Sequence, residues 1–156
     1  MTEIELRQSL TELLHRRPWV PIRVDATDGQ FTFIDTPLRV KWEGNGIVVS
    51  RFDGPTAIIP VEGVTKLTRL DELPGENGGM SYREFKEVYR KFRYAEPFIP
   101  YEVELRDGTR LVVTEPGQLL AGGRTGGYFR GPRRGHATIY TADVVAVRLA
   151  TPAEVA

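Results

Sequence analysis

Helical and strand-like spacings of apolar residues alternate along this chain, and the alternation runs through twice. Leu6, Leu10, Leu13 and Leu14 recur at three- and four-residue steps, which sets them on one stripe of a helix. Thr2 stands before them with Glu5 three residues on, the pairing that caps a helix start reciprocally. Pro18 stops the helix. The period then falls to two: Ile22, Val24 and Ala26 alternate with Arg23 and Asp25, as in a half-buried strand. Asp28-Gly29 supplies the positive φ of a tight hairpin turn. A return strand over residues 30–35 ends before Pro37, which has no amide to give to a ladder.

The same steps recur further on. Pro18-Trp19-Val20-Pro21 is answered by Pro97-Phe98-Ile99-Pro100, 79 positions later. At that offset Ser81 and Glu84 repeat the cap, Phe85, Val88, Tyr89 and Phe92 the stripe, and Tyr101, Val103 and Leu105 the strand, which alternates with Glu102 and Glu104. Asp107-Gly108 repeats the turn, residues 109–114 the return strand, and Pro116 its end. Residues 41–56 and 120–136 are the variable part, 16 against 17 residues, after which the offset is 80: Ile59 falls on Ile139 and Val64 on Val144. Each half closes with a short strand, a sharp turn and a last strand. A repeat of half the chain fixes the architecture before any single residue is read. The reading is mainly β with α: two tandem units over 1–70 and 80–150, each an N-terminal helix followed by about five short strands. Residues 71–79, acidic and glycine-rich, read as a linker and 151–156 as a tail. A unit of about 77 residues buries only roughly 60% of its unfolded surface, so the halves are expected to pack on each other or on another subunit.

Five short, bent strands with a helix over one open end make a small barrel that leaves few edges exposed. In this order the pattern resembles the Sm-like fold, a variant of the SH3-type barrel. Ile139-Tyr140-Thr141-Ala142-Asp143-Val144-Val145-Ala146-Val147 resembles the last strand pair of bacterial Hfq-like proteins. The Pro-aromatic-x-Pro start resembles small uncharacterised bacterial proteins. The resemblance covers the topology of each half and implies a five-stranded Sm-like/SH3-like barrel in each. Sm-like proteins often form rings, so the resemblance implies either self-association as a ring of tandem chains or a closed, monomeric pseudo-dimer. Pro37 and Pro116 depart from the Sm pattern, and no RNA-binding signature of the family transfers residue by residue.

Composition narrows the chemistry. Lys+Arg and Asp+Glu are both 21, which removes a blanket electrostatic argument for nucleic acid or anionic membrane. Residues 1–75 carry 9 basic and 11 acidic side chains, residues 76–156 carry 12 and 10. There is no cysteine, hence no disulfide, thiol nucleophile or Cys-ligated metal. His15 and His136 are not equivalent under the repeat and neither has a metal-ligand type at zinc spacing. No metal and no cofactor are expected. Asp28 and Asp107 suit turns better than acid–base work. None of Ser9, Ser50 and Ser81 lies in a Gly-x-Ser-x-Gly elbow, and Gly122-Gly123-Arg124-Thr125-Gly126-Gly127 lacks the lysine and spacing of a phosphate loop. The chain reads as a binding module and not an enzyme. The N-terminal residues lack the basic and apolar regions of a signal peptide and no apolar run has membrane length, so a cytoplasmic protein is expected.

One segment rises above this background. Residues 122–136 hold four arginines, two adjacent aromatics and six glycines, and no acid lies between Glu115 and Asp143. Arginine pairs with phosphate in fork geometry and aromatics stack on unpaired bases. Arg124, Tyr128, Phe129, Arg130, Arg133 and Arg134 are therefore the candidate contacts to single-stranded RNA. The matching segment of the first half carries Glu43 and Asp53, so binding is expected through the second half alone. The bland reading is a long solvated hairpin loop. The alternative function is a protein-interaction or scaffold module in which paired barrels present edge strands and apolar corners. Arg90, Lys91 and Arg93 read as a solvated helix face near a helix C-terminus.

Overall fold

The computed structural model describes residues 1–52, 54–75, 78–131 and 135–155. Among them are twelve strands in four three-stranded sheets and three α-helices, a mainly β chain with α. It divides into two compact units, Met1–Glu72 and Leu73–Ala156.

The first unit begins with α1, Glu3–His15. Thr2 Oγ1 accepts from the Glu5 amide (3.1 Å) and Glu5 Oε2 accepts from the Thr2 amide (2.8 Å), so the cap is reciprocal. Leu6 and Leu10 are buried, with Leu13 and Leu14 packed beside them. β1 (Ile22–Ala26) and β2 (Phe31–Ile34) form the expected hairpin; Asp28 Oδ1 accepts from the Gln30 amide (2.9 Å) and Gly29 has φ +82°. β3 (Val40–Glu43), β4 (Gly46–Val49) and β5 (Ala57–Pro60) run as a meander, and β6 (Val64–Arg69) returns to the free side of β1. The sheets are thus β2-β1-β6 and β3-β4-β5, all antiparallel. Ile22, Val24, Ile34, Ile47, Val49 and Val64 close the core with the α1 leucines.

The second unit has the same order of elements. α2 is Tyr82–Arg93, capped by Ser81 Oγ on the Glu84 amide (3.1 Å). β7 (Tyr101–Leu105), β8 (Arg110–Val113) and β12 (Val144–Leu149) form one sheet, ordered β12-β7-β8. β9 (Leu119–Gly122), β10 (Thr125–Phe129) and β11 (His136–Tyr140) form the other. Register repeats as well as order. Ile22 faces Ile34 as Tyr101 faces Val113, and Val40 faces Val49 as Leu119 faces Tyr128, both at an offset of 79. Val49 then faces Ala57, whereas Tyr128 faces Ala137. The extra residue of the second unit therefore lies between β10 and β11.

The structure adds three details to the sequence reading. No closed barrel is found among the described residues: each unit has six strands in two sheets, with no ladder between the two. The prolines explain the division. Pro37 opens a 3-10 turn, Pro37–Arg39, that separates β2 from β3. In the second unit Pro116 and Gly117 (φ +82°) make a turn closed by the Gln118 amide on Glu115 O (3.3 Å). Each variable stretch also holds strand, because a two-residue reversal, Gly44-Asn45 or Gly123-Arg124, folds it back on itself, with Gly44 at φ +59° and Gly123 at φ +64°. Finally, the ends of the units are structured. Leu70–Glu72 is a 3-10 turn of the first unit, where Arg69 donates to both Asp71 oxygens (3.1 Å each) and Arg16 meets Glu72 at 3.6 Å. The tail carries α3, Pro152–Val155, whose cap Thr151 exchanges hydrogen bonds with Glu154.

Candidate nucleic-acid interface

The Arg/Gly/aromatic segment is not one loop. Its first half is the β9–β10 turn and the central strand β10; its second half leads into β11. Alternation then sorts its side chains. On β10 Gly126 and Tyr128 face the core, while Thr125, Gly127 and Phe129 face outward. A Cβ on Gly126 would lie 3.0 Å from Leu120 O and 3.2 Å from Ala121 Cα, so glycine is what lets β9 approach.

Adjacent aromatics in a strand cannot share a face, and here they part company. Tyr128 packs against the core and its hydroxyl donates to Val112 O (2.8 Å). Burial raises its phenol above the ordinary value, and the nearby Arg130 cation pulls it partly back. Tyr128 is thus a structural residue, which removes it from the stacking set expected from sequence. Phe129 is 44% exposed. Its ring lies back along the strand, 3.8 Å from where a Cβ of Gly127 would sit. His136, directly opposite on β11, sets its ring 5.8 Å from that of Phe129 at a tilt of 36°. Leu120, Thr138 and Tyr140 complete the outward face. Every side chain on this face is uncharged when His136 is neutral. His136, Leu120 and Tyr140 escaped the sequence reading because only the strand register brings them beside Phe129.

The arginines divide between the two ends of the sheet. Arg124 is in the β9–β10 turn and Arg130 follows β10. Six residues of extended chain put their backbones roughly 20 Å apart, so they do not form one cluster. Arg130 sits beside Phe129, where its amide donates to Gly135 O (3.1 Å). Arg133 and Arg134 lie outside the described residues. A groove of about 670 Å³ opens next to Phe129, lined by Arg130, His136 and the Thr114–Gln118 turn.

Tyr89 of α2 holds the platform in place. Its hydroxyl donates to Leu119 O (2.8 Å) and accepts from the Ala121 amide (3.1 Å) and from Arg93 Nη1 (2.7 Å). Leu119 and Ala121 belong to the edge strand β9, whose free backbone groups are thereby satisfied. This corrects the reading of Arg93 as part of a solvated face: its guanidinium is held by Tyr89 and lies 5.3 Å from the Tyr94 ring. His15 Nδ1 lies 2.8 Å from Thr11 O at the end of α1. No cluster of three metal-ligating side chains is found among the described residues, and no helix there is long and apolar enough to cross a membrane.

No family model, no curated protein and no solved structure matches this chain. The functional reading rests on the geometry above.

Proposed function

We propose that the second unit is a binding module for single-stranded RNA and that unpaired bases stack on the outward face of sheet β9-β10-β11. One observation carries the reading: an exposed phenylalanine ring beside a glycine at the rim of an uncharged sheet face, with an imidazole next to it and an arginine at its end. A base stacked on such a ring contributes about 1–3 kcal/mol and tolerates any sequence. Arg130 supplies the phosphate contact and the groove beside it gives the backbone a path. The test is fluorescence anisotropy of a labelled RNA octamer against the intact chain over a salt series. Phe129→Ala is expected to weaken binding about tenfold or more at every salt concentration. Arg130→Ala is expected to make the salt slope shallower by about 0.7, the loss of one single-strand phosphate contact. Absence of binding at low salt would sink the proposal.

The same reading takes each unit as an Sm-like small barrel and the two as copies of one ancestor. If β2 and β3 are the two arms of one strand broken at Pro37, the order β6-β1-β2/β3-β4-β5 becomes that of a five-stranded sheet curling on itself. The shared register at offsets 79 and 80 supports common descent. A protein partner is the second reading. It draws on the first unit, where exposed Phe31 and Ile58 flank a groove of about 320 Å³. Binding there would depend little on salt.

A further inference from the structure

The groove beside Phe129 holds a carboxylate that base stacking and phosphate binding leave unused. Glu115 is exposed on the turn between β8 and β9 and lines the same groove as Phe129, His136 and Arg130. Neither Glu115 nor Arg130 forms a side-chain ion pair among the described residues, so an anion and a cation face one cavity without neutralising each other. The other polar side chain of that turn is committed. Gln118 Oε1 accepts from the Thr114 amide (2.8 Å) and hydroxyl (3.3 Å), which fixes the turn and leaves Glu115 as the acceptor that a ligand meets. A cavity of about 670 Å³ lies within the roughly 300–1,000 Å³ range of small-ligand pockets, ample for one nucleotide.

The chemistry of an aromatic wall with a free carboxylate selects among bases. A carboxylate offers only acceptors and needs donors opposite it. On the edge that an unpaired base presents, guanine alone sets two donors side by side, N1–H and the 2-amino group. Adenine and cytosine set a ring acceptor beside their amino group, and uracil flanks its one donor with two carbonyls. We propose that this groove takes an unpaired guanine, stacked on Phe129 and His136, with N1–H and the 2-amino group donating to the Glu115 carboxylate and an adjoining phosphate on Arg130. The inference rests on the RNA-stacking reading above and names its preferred base.

The intact chain is tested by anisotropy against four labelled octamers: all-uridine, and the same strand with one central guanosine, adenosine or inosine. The guanosine strand is expected to bind about tenfold tighter than the adenosine strand, as befits a two-hydrogen-bond contact to a base edge. Inosine keeps N1–H and lacks the 2-amino group, so it is expected to fall between them. Glu115→Gln is expected to erase the guanosine preference while leaving all-uridine affinity within twofold, which also reports that the variant is folded. Equal binding of guanosine and adenosine strands, or a preference that survives Glu115→Gln, overturns the guanine assignment and leaves the stacking reading standing. Failure of every octamer to bind overturns both.

Discussion

Sheets β3-β4-β5 and β9-β10-β11 have the same strand order and pairing pattern and show opposite outer faces. In the first unit that face carries Lys41 and Glu43, paired at 3.7 Å, beside a nearly buried Val48 and an exposed Ile58. In the second, Leu120 and Gly122 replace the ion pair, Gly127 replaces Val48, and the strand runs one residue further to Phe129. Backbone pairing is preserved, so the difference lies in side chains and in the single extra residue between β10 and β11. The inner faces differ in a compensating way. Leu10, Trp42 and Val49 of the first unit stand where Tyr89, Ala121 and Tyr128 stand in the second, so aromatic bulk moves from a strand to the helix and to a neighbouring strand. Cores accept such exchanges when total volume and pattern are kept. The second unit thereby gains hydroxyls that tie β9 and β10 down, while glycines stand at two positions of the outer face.

The largest test of that contrast compares Leu10 with Tyr89. Leu10→Ala removes a buried side chain and is expected to cost about 2–5 kcal/mol. Tyr89→Phe keeps the ring and removes only the hydroxyl, yet it leaves Leu119 O and the Ala121 amide without their partner and is expected to cost about 1–3 kcal/mol. Urea unfolding measures both, and amide exchange at Ala121 should quicken in Tyr89→Phe and not in Leu10→Ala. Equal exchange in the two variants would show that the edge of β9 is held by packing alone.

A smaller change asks whether the glycine of the outer face is what distinguishes the second unit. Gly127→Val installs the residue found at Val48. The strand should gain about 0.5–1 kcal/mol, because glycine is costly in a strand. An added Cβ would meet the Phe129 ring at ordinary contact distance, 3.8 Å, so it is the two γ-methyls that crowd the ring, and RNA affinity should fall about fivefold. Stability and binding therefore move in opposite directions, read by thermal unfolding and anisotropy on one sample. A variant that gains stability with unchanged affinity would show that the lie of the ring is irrelevant.

How much of this was legible in the sequence follows from the physics of each signal. Caps, hairpin turns and core stripes are local, and Thr2, Asp28-Gly29, Leu6 and Leu10 announced them. The split of each unit into two sheets was legible in part: Pro37 and Pro116 marked strand ends, but whether a chain bends or stops there is decided by tertiary pairing. The Gly/Arg composition of residues 122–136 masked a strand, since glycine lowers strand propensity while Gly126 serves close packing of β9 on β10. Tyr128 and Phe129 read as one aromatic pair until the strand assignment sent them to opposite faces. Thr151-x-x-Glu154 was a cap in plain view, with Pro152 at the first helical position, and its brevity hid it.

The smallest expected effect lies in acid. The Glu5 carboxyl is held below the usual glutamate range by hydrogen bonds from Thr2, the backbone amide first. Asp107 is held below the usual aspartate range by Thr109, through its hydroxyl and then its amide. Both values are lowered on folding, so each contribution is complete above the unfolded value and is lost as pH falls through the folded one. Both groups are exposed, and the effect is local and not a collapse of the fold. As pH falls through the folded Glu5 value the first turn of α1 should fray, seen as lower amide protection factors at Glu5 and Leu6 after correction for the intrinsic exchange rate. Thr2→Ala keeps the amide that Glu5 accepts from and should lower that protection at every pH, whereas Glu5→Gln should remove its pH dependence. In α2, Ser81 Oγ donates to Glu84 Oε1 (3.1 Å), and Ser81's own amide forms no bond to that carboxylate like the one Thr2 gives Glu5. Replacing the capping carboxylate by its amide, Glu5→Gln in α1 and Glu84→Gln in α2, should accordingly lower first-turn protection more in α1, and equal losses would mean that the backbone amide at the cap position contributes nothing to the difference between the helices.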